Sequence, residues 1–256
     1  MQRLRPLLYY FFIAGTLFTG SAGAMLDEYA EPSVPAIVKN YKPLSPLELM
    51  LLTTLRDQNT DMALFSGTVR NLTPFLVQRV FQCLEMQDVI IQTPVAQSIG
   101  AELKNNIVLV TVLRSGDALL EGFRRYLPDA PVGKILVQRD EQTSEPNYLY
   151  RKVPKAFKNN KKIVILEPMI ATGGSLSMVI EILLHNGVAQ ENIIVSSVVA
   201  APEGLHKLAE KFPEISVTVL SIDEKLNEKM FIVPGLGDFG DRFYGTDDYD
   251  ADSEDD

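Results

Sequence analysis

The stretch that decides the fold is KIVILEPMIATGGS, residues 162–175. Its apolar residues Ile163 to Leu166 predict a short strand buried on both faces, and Glu167 follows that strand directly. A loop of small residues, Ala171-Thr172-Gly173-Gly174-Ser175, comes next. Apolar residues then recur at helical spacing until Asn186-Gly187, which is a typical helix end.

A strand, a small-residue loop and a helix N-terminus together predict a phosphate cradle. The backbone N–H groups and the helix dipole attract an anion, and glycines allow it to come close. Glu167 would lie at the carboxyl end of the strand, where α/β sheets bind ligands, and a carboxylate there suits ribose hydroxyls. The alternative from these residues alone is an ordinary strand–turn–helix joint.

Composition limits the classes of function. The 256 residues fit one large domain or two small ones, and 46% hydrophobic residues allow a full core. A net charge of −9 argues against nucleic acid as a partner. Cys83 is the single cysteine, which excludes an internal disulfide and a cysteine cluster for a metal.

The two ends of the chain differ from its middle. Residues 1–24 resemble a signal or anchor segment, with two arginines before the apolar run Leu7–Phe18; a simple N-terminal extension is the alternative. Residues 25–46 are proline-rich and predict a linker. Residues 47–246 form the expected domain, and residues 247–256 an acidic disordered tail.

The middle of the chain predicts an α/β fold. Residues 47–88 show helical stripes, and 89–93 are a candidate strand. Strands then alternate with helices, which implies a mostly parallel sheet flanked by helices. The predicted strands are 107–113, 132–138, 148–150 (the return strand of a hairpin after the exposed loop 140–147), 193–200 and 217–222; the predicted helices are 117–126 and 202–211.

Polar residues follow several of these strands. Arg114, Arg139 and Glu167 each come at or after a strand end, and the stretch IVPGLGDFGDR, residues 232–242, follows the last one. Because parallel strands end on one side of a sheet, these groups are expected to face each other. Two arginines near a phosphate loop can neutralise a diphosphate by bidentate contacts.

Several motifs resemble the uracil phosphoribosyltransferase family of type I phosphoribosyltransferases. EPMIATGGS is similar to that family's DPMLATGGS, and VLRSG, residues 112–116, to its ILRAG. VGKILVQRDEQTSEPNYLYRKVP (132–154), VVAAPEGLHKL (198–208) and IDEKLNEKMFIVPGLGDFGDRFYGT (222–246) extend the resemblance over about residues 47–246. It implies a type I phosphoribosyltransferase-like sheet with a β-hairpin arm and a C-terminal base-binding loop.

The resemblance also implies a reaction and roles for residues. The family joins uracil to 5-phospho-α-D-ribose 1-diphosphate, giving UMP and diphosphate. Arg114, Arg139 and Asp238 would be catalytic. The donor would bind to Arg114, Arg139, Glu167, Pro168, Met169, Ile170, Ala171, Thr172, Gly173, Gly174, Ser175 and Asp238, and uracil to Ile232, Gly237, Asp238 and Phe239.

Mg²⁺ is the implied cofactor, held mainly through substrate oxygens and water, with Asp238 as a candidate contact. The family implies a homodimer or homotetramer, and GTP as a candidate activator for which the sequence shows no site. Substrates of this kind imply a cytoplasmic enzyme, whereas residues 1–24 leave secretory or organellar targeting open.

Two departures from the family motifs stand in the expected site. Glu167 replaces the usual Asp, and a misplacement of about 1 Å can cost about 100-fold in rate. Ser115 replaces the usual Ala beside Arg114. Two other readings therefore remain open: a catalytically impaired sensor of pyrimidines or nucleotides with the same fold, and a secreted or membrane-tethered interaction protein.

Overall fold

A computed structural model of the protein describes residues 34–139, 146–154 and 161–246. The signal-like segment 1–24, the acidic tail 247–256 and most of the loop 140–147 lie outside the described residues. Within the described ranges, every helix is too short or too polar to traverse a bilayer.

Six α-helices and eleven strands make up this described part. The helices are α1 (Pro46–Arg56), α2 (Met62–Phe81), α3 (Asp117–Tyr126), α4 (Gly174–His185), α5 (Pro202–Lys211) and α6 (Phe239–Tyr244). The strands are β1 (Met86–Gln92), β2 (Gln97–Leu103), β3 (Ile107–Leu113), β4 (Val132–Arg139), β5 (Pro146–Lys152), β6 (Lys162–Leu166), β7 (Met169–Ile170), β8 (Ile193–Ala200), β9 (Ser216–Ile222), β10 (Lys225–Leu226) and β11 (Ile232–Val233).

The central sheet has seven strands and is mostly parallel, as predicted. β5, β4, β3, β6 and β8 are neighbours in that order, and β9 also pairs with β8. Every pairing is parallel except that of β4 with β5, which form the expected hairpin. β6 and β7 pair with successive parts of β8 in the same register. They therefore lie in line with each other, and only Glu167 and Pro168 separate them.

Helices cover both faces of the sheet. Apolar side chains of α4 and α5 pack with one face, and those of α1, α2, α3 and α6 with the other. All eight residues of β8 are buried, which explains the unbroken apolar and small-residue sequence of that strand. The sheet and its helices therefore form a rigid frame for the loops at the strand ends.

The region 47–88 differs from the sequence prediction at its end. It contains α1 and α2, but residues from Met86 onward belong to β1, which pairs with β2 in a separate antiparallel hairpin. β2 was not predicted: its sequence QSIGAEL alternates Ile99, Ala101 and Leu103 with small or polar residues, but it is short and contains a glycine, which is depleted in strands. Most of the predicted strand 89–93 lies within β1. Both strands expose most of their residues, so the hairpin lacks the long buried apolar runs of the central strands.

Part of the expected linker lies against the sheet. Ile37 is buried, and Val38 forms a parallel bridge with Val217 of β9. Its neighbour Lys39 donates a backbone hydrogen bond to the same residue at 2.8 Å. The short segment around Ile37 thus extends the sheet edge, and the other domain boundaries remain predictions.

Candidate active site

A cleft of about 420 Å³ lies at the carboxyl ends of the central strands. That volume is within the range of small-molecule sites. Its walls come from four segments that are far apart in sequence: the end of β3, Val137 of β4, the stretch after β6, and the chain around β11 and α6. The lining includes Ser115, Glu167, Met169, Ile170, Ala171, Gly173, Gly174, Ser175, Lys229, Met230, Phe231, Ile232, Gly237, Asp238, Phe239 and Gly240.

Glu167 enters this cleft from the break between β6 and β7. Its backbone N–H donates to the Ser196 carbonyl at 3.1 Å, and the Pro168 carbonyl accepts from Val198 and Val199. These bonds to β8 hold the interrupted strand in place. Glu167 is buried to 8% exposure, so its carboxylate projects from a fixed backbone into a sheltered part of the cleft.

The loop from Ala171 to Ser175 connects β7 to α4. Gly173 is the N-cap residue of α4 with φ +70°, a conformation that favours glycine, and it offers no side chain to cap the helix. The first turn contains no acidic residue. The N–H groups of this first turn therefore present a favourable environment for an anion.

The loop is held by a close contact with α5 that the sequence did not predict. A Cβ on Gly204 would lie 2.2 Å from the Ala171 carbonyl oxygen, and a Cβ on Gly173 would lie 3.1 Å from the Gly204 oxygen. Gly204 stands in the first part of α5, in the quoted stretch VVAAPEGLHKL. A glycine inside a helix is a signal of such an approach, but its partner cannot be read from sequence.

The two predicted arginines lie at neighbouring strand ends. Arg114 follows β3, and its guanidinium donates to Asp241 Oδ1 at 2.6 Å and to Thr246 Oγ1 at 3.2 Å. Arg139 is the last residue of β4, with its backbone opposite Pro146. Arg114 therefore lies at the α6 side of the cleft, beside Gly240, rather than in its lining.

Thr246 and Arg114 both stabilise the charge of Asp241. The hydrogen bond from Thr246 lowers the pKa of Asp241 below its ordinary value; partial burial opposes this effect, and Arg114 adds to the lowering. Tyr244 donates to the Arg114 carbonyl at 3.2 Å. The backbone and the side chain of Arg114 are thus both bound to the C-terminal segment.

The expected base-binding loop runs from β11 into α6. Ile232 is buried, the Val233–Pro234 peptide is cis, and Gly235 has φ +62°. Asp238 is the N-cap of α6, and its Oδ1 accepts from the Asp241 N–H at 3.0 Å. Asp238 therefore lines the cleft and stabilises a helix end at the same time.

Two further arginines, Arg56 and Arg242, bind the backbone of this loop. The sequence did not predict a role for either one. Arg56, at the end of α1, binds both carboxylate oxygens of Asp223 at 2.6 and 2.7 Å and the Gly235 carbonyl at 2.7 Å. Asp223 in turn accepts from the Gly235 N–H at 2.9 Å. The Asp223 side chain is 1% exposed, so this bidentate pair is largely removed from water.

Arg242 of α6 makes the second connection. Its guanidinium donates to the carbonyls of Leu55, Asp57 and Leu236, and it stacks 4.5 Å from the centre of the Phe65 ring. Arg242 is part of the motif IVPGLGDFGDR, whereas Arg56 lies outside the motifs, and no feature of the sequence indicated that Arg56 contacts Asp223. Together these arginines fix the loop to the C-terminal end of α1.

The structure thus brings most predicted site residues to one cleft. Among the predicted residues whose side chains the structure describes, Arg114, Pro168 and Thr172 are not part of the lining; the side chain of Arg139 lies outside the described part. Thr172 accepts a long hydrogen bond from the Gly174 N–H. The described residues contain no cluster of three or more metal-ligating His, Cys, Asp or Glu side chains. Glu167 and Asp238 are the carboxylates among the cleft-lining residues, a donor set that fits a cation bound mainly through substrate oxygens.

Comparisons of the sequence and of the fold with known proteins point to one family. The sequence model of the family described as uracil phosphoribosyltransferase matches residues 44–246. The chain is 40% identical to a uracil phosphoribosyltransferase of Malacoplasma penetrans over 78% of its own length and 96% of that protein. It is 37% identical to one from Dictyostelium discoideum, with 77% and 92% covered. The solved structure of the AQ2163 protein from Aquifex aeolicus superposes with a TM-score of 0.72 at 34% identity, covering 82% of this chain and 100% of that one.

The contact of Gly204 with the loop generates a prediction. Gly204→Ala places a methyl group against the Ala171 carbonyl, so we expect the loop to shift and anion binding to weaken by about tenfold, or roughly 1.4 kcal/mol. Binding of inorganic phosphate or a phosphoribosyl ligand, measured by calorimetry, checks this. Gly67→Ala in α2 is the matched control, because a Cβ there meets nothing within 4 Å.

Helix propensity alone predicts that replacing glycine by alanine stabilises the protein, since alanine in a helix interior is better than glycine by about 0.8–1.0 kcal/mol. Gly67→Ala should therefore raise the unfolding midpoint and leave ligand binding unchanged. Equal stabilisation by Gly204→Ala, with unaltered binding, would show that the loop does not depend on this contact.

The Arg56–Asp223 pair generates a second prediction. Arg56→Ala leaves a buried carboxylate without its cation, so we expect a loss of roughly 3 kcal/mol in the free energy of unfolding, from the cost of breaking buried pairs. Urea denaturation measures the loss. Arg125→Ala is the control, because the Arg125–Glu121 pair is exposed and should contribute about 0–1 kcal/mol. Comparable losses in the two variants would contradict the assignment.

Proposed function

This chain belongs to the uracil phosphoribosyltransferase family, and we propose that its cleft transfers the phosphoribosyl group of 5-phospho-α-D-ribose 1-diphosphate to uracil. The products are UMP and diphosphate, which is a step of pyrimidine salvage. The observation that carries the proposal is one cleft in which an α4 phosphate loop faces the loop Ile232–Phe239. The fold is that of type I phosphoribosyltransferases.

The 5′-phosphate of the donor binds to the Ala171–Ser175 loop. The N–H groups and the dipole of α4 supply the attraction, and Gly173 and Gly174 let the phosphate oxygens approach the backbone. Pro168, Met169, Ile170 and Thr172 set the path of the chain into this loop. Glu167, at the start of the same stretch, accepts hydrogen bonds from the ribose hydroxyls.

The diphosphate lies between Arg114 and Arg139. Guanidinium groups stabilise a leaving diphosphate most strongly as the bond to C1′ lengthens, which makes both arginines catalytic in this proposal. Arg114 would exchange its contact with Asp241 for the diphosphate. The short distance from Arg114 to Asp241, 2.6 Å, shows that the guanidinium already has an anionic partner at this edge.

Uracil binds to the loop that Arg56 and Arg242 hold in place. Its edge offers two carbonyl acceptors and the N3–H donor between them, and in this proposal backbone groups near Ile232, Gly237 and Phe239, which line the cleft, bind that edge. Cytosine presents a donor at its 4-position, so fixed backbone groups would be left unpaired and would reject it.

Mg²⁺ is part of the proposal through the substrate. Asp238 would be the protein contact of the cation, which would supply neutralisation of the charge on the donor's diphosphate. The protein orients N1 of uracil toward C1′ and keeps both substrates in a sheltered cleft. N1 forms its bond to C1′ as the C1′–O bond to the diphosphate breaks, and the N1 proton is released to solvent.

Conversion of radiolabelled uracil to UMP by the purified full-length protein tests the function. The assay includes Mg²⁺ and the diphosphate donor, with cytosine and orotate as alternative bases and with GTP added or omitted. We expect nucleotide formation with uracil and none with cytosine or orotate. Binding of uracil and donor without turnover would instead support the sensor alternative, which Glu167 in place of aspartate motivates.

We also propose that the protein is a homodimer or homotetramer. The β1–β2 hairpin exposes Ile90, Val95 and Ile99 at 73%, 93% and 74%. An isolated two-stranded hairpin is marginally stable in water, and contiguous exposed apolar residues mark interaction surfaces. A second copy of the chain is the proposed partner of this hairpin.

Cytoplasmic location is proposed from the substrates.

Asp238→Asn is the sharpest single test of the catalytic assignments. Asparagine caps a helix about as well as aspartate, so the unfolding midpoint should stay within about 4 °C, a shift worth roughly 1 kcal/mol or less. UMP formation should fall by about 100-fold or more, because the charge near the diphosphate is lost. Asp61→Asn is the matched control, since Asp61 caps α2 in the same way.

Near-normal turnover of Asp238→Asn at saturating Mg²⁺ would remove Asp238 from the catalytic group. Loss of activity together with a large fall in the unfolding midpoint would assign it a structural role.

Sedimentation equilibrium tests the oligomer. Ile99→Asp adds a charge to the exposed face of the hairpin, and we expect it to shift the protein toward monomer. Tyr126→Asp, on an exposed residue at the end of α3, is the control and should leave the mass unchanged. A monomeric wild type would refute the assembly, and an oligomeric Ile99→Asp would place the interface elsewhere.

A further inference from the structure

Ser115 and Glu167 are in direct contact inside the cleft. The Ser115 hydroxyl donates a hydrogen bond to Glu167 Oε1 at 3.1 Å, although the two residues are 52 positions apart in sequence. Ser115 is half-buried and Glu167 is buried. Both belong to the cleft lining, so the contact lies where a bound donor would meet the protein.

The sheet brings the two residues together. β3 and β6 are parallel neighbours, with Thr111 opposite Leu166, so the residues that follow the two strands emerge side by side. Gly116 then lets the turn after β3 press against β6: a Cβ at Gly116 would lie 2.1 Å from the Leu166 carbonyl oxygen. Ser115 is therefore held beside the residue that follows Leu166.

A glutamate at this strand end needs such a support. Its carboxylate stands one methylene further from the backbone than that of an aspartate, and one more torsion must be fixed before the oxygens can bind a ligand. Fixing side-chain torsions costs conformational entropy, which a hydrogen bond to the charged group offsets. The bond also compensates part of the cost of burying the carboxylate.

We propose that Ser115 is a positioning residue, which orients the Glu167 carboxylate toward the ribose hydroxyls of the donor. The inference rests on the proposed function, because that function makes Glu167 the ribose ligand. Ser115 itself need not touch the substrate. Its contribution is to select one of the conformations that the longer acidic side chain can adopt.

A double-mutant cycle isolates this role. Affinity for 5-phospho-α-D-ribose 1-diphosphate with Mg²⁺ is measured by titration calorimetry on the full-length wild type, Ser115→Ala, Glu167→Asp and the double variant. Ser115→Ala should weaken binding by about tenfold when Glu167 is present, as expected for a hydrogen bond to a charged group. It should change binding by less than about twofold in the Glu167→Asp background, because the shorter side chain no longer reaches the hydroxyl.

Ser66→Ala is the matched control, since the Ser66 hydroxyl bonds only within α2 in the described structure, to the Ala63 carbonyl at 3.1 Å. It should have no effect in either background. In steady-state kinetics, Ser115→Ala should raise the KM for the donor and leave the KM for uracil within about twofold, a split that a general loss of packing would not produce.

The same loss for Ser115→Ala in both backgrounds would overturn the inference, as would no loss beside Glu167. If Glu167→Asp fails to fold, Glu167→Gln replaces it: its neutral acceptor keeps the reach but bonds more weakly, so the cost of Ser115→Ala should fall to about threefold. An undiminished tenfold cost there would refute the coupling.

The proposed function fails separately. A wild type that binds the donor but forms no UMP would refute the enzymatic proposal, while the cycle measured by binding would still decide whether Ser115 positions Glu167. A wild type that binds no donor would refute both.

Discussion

The site depends on polypeptide backbones that approach each other more closely than a side chain would permit. Gly116 packs on the Leu166 carbonyl, and Gly204 packs on the Ala171 carbonyl, at distances of 2.1 and 2.2 Å from where a Cβ would be. The first contact joins the turn after β3 to the acid after β6, and the second fixes the phosphate loop on α5. Because interiors are close-packed, these contacts constrain the positions of both loops.

Local sequence predicted the elements that have a strong pattern of their own. The buried strand 163–166, the glycine loop and the following helix are contiguous, so hydrophobic runs and a motif were sufficient to place Glu167 at a strand end. The fold class and the family were confirmed. For the exposed hairpin, the sequence predicted a candidate strand at 89–93 that overlaps β1, but not the start of β1 at Met86 or its partner β2. Neither face of this hairpin is buried in this chain, so no long apolar run marks it.

The missed contributions to the site all come from pairs distant in sequence. Arg56 and Asp223 are separated by 167 positions, and Ser115 and Glu167 by 52. A single sequence gives the chemistry of each partner and no measure of which residues meet. Ser115 and Glu167 were noted as separate departures from the family motifs, and only the parallel register of β3 and β6 makes them one feature.

The three parts of the site differ in how firmly they are held. The phosphate loop rests on backbone packing against Gly204 of α5, and the base loop rests on a buried bidentate ion pair with added bonds to Gly235. The bond from Ser115 is one of the interactions that hold the Glu167 side chain, whose torsions must also be fixed. A hydrogen bond contributes less than a buried ion pair costs when broken, roughly 1.5–3 against 3–5 kcal/mol. The ribose end is therefore where small substitutions can tune donor binding without unfolding the protein, and it is also where this chain carries its longer acid.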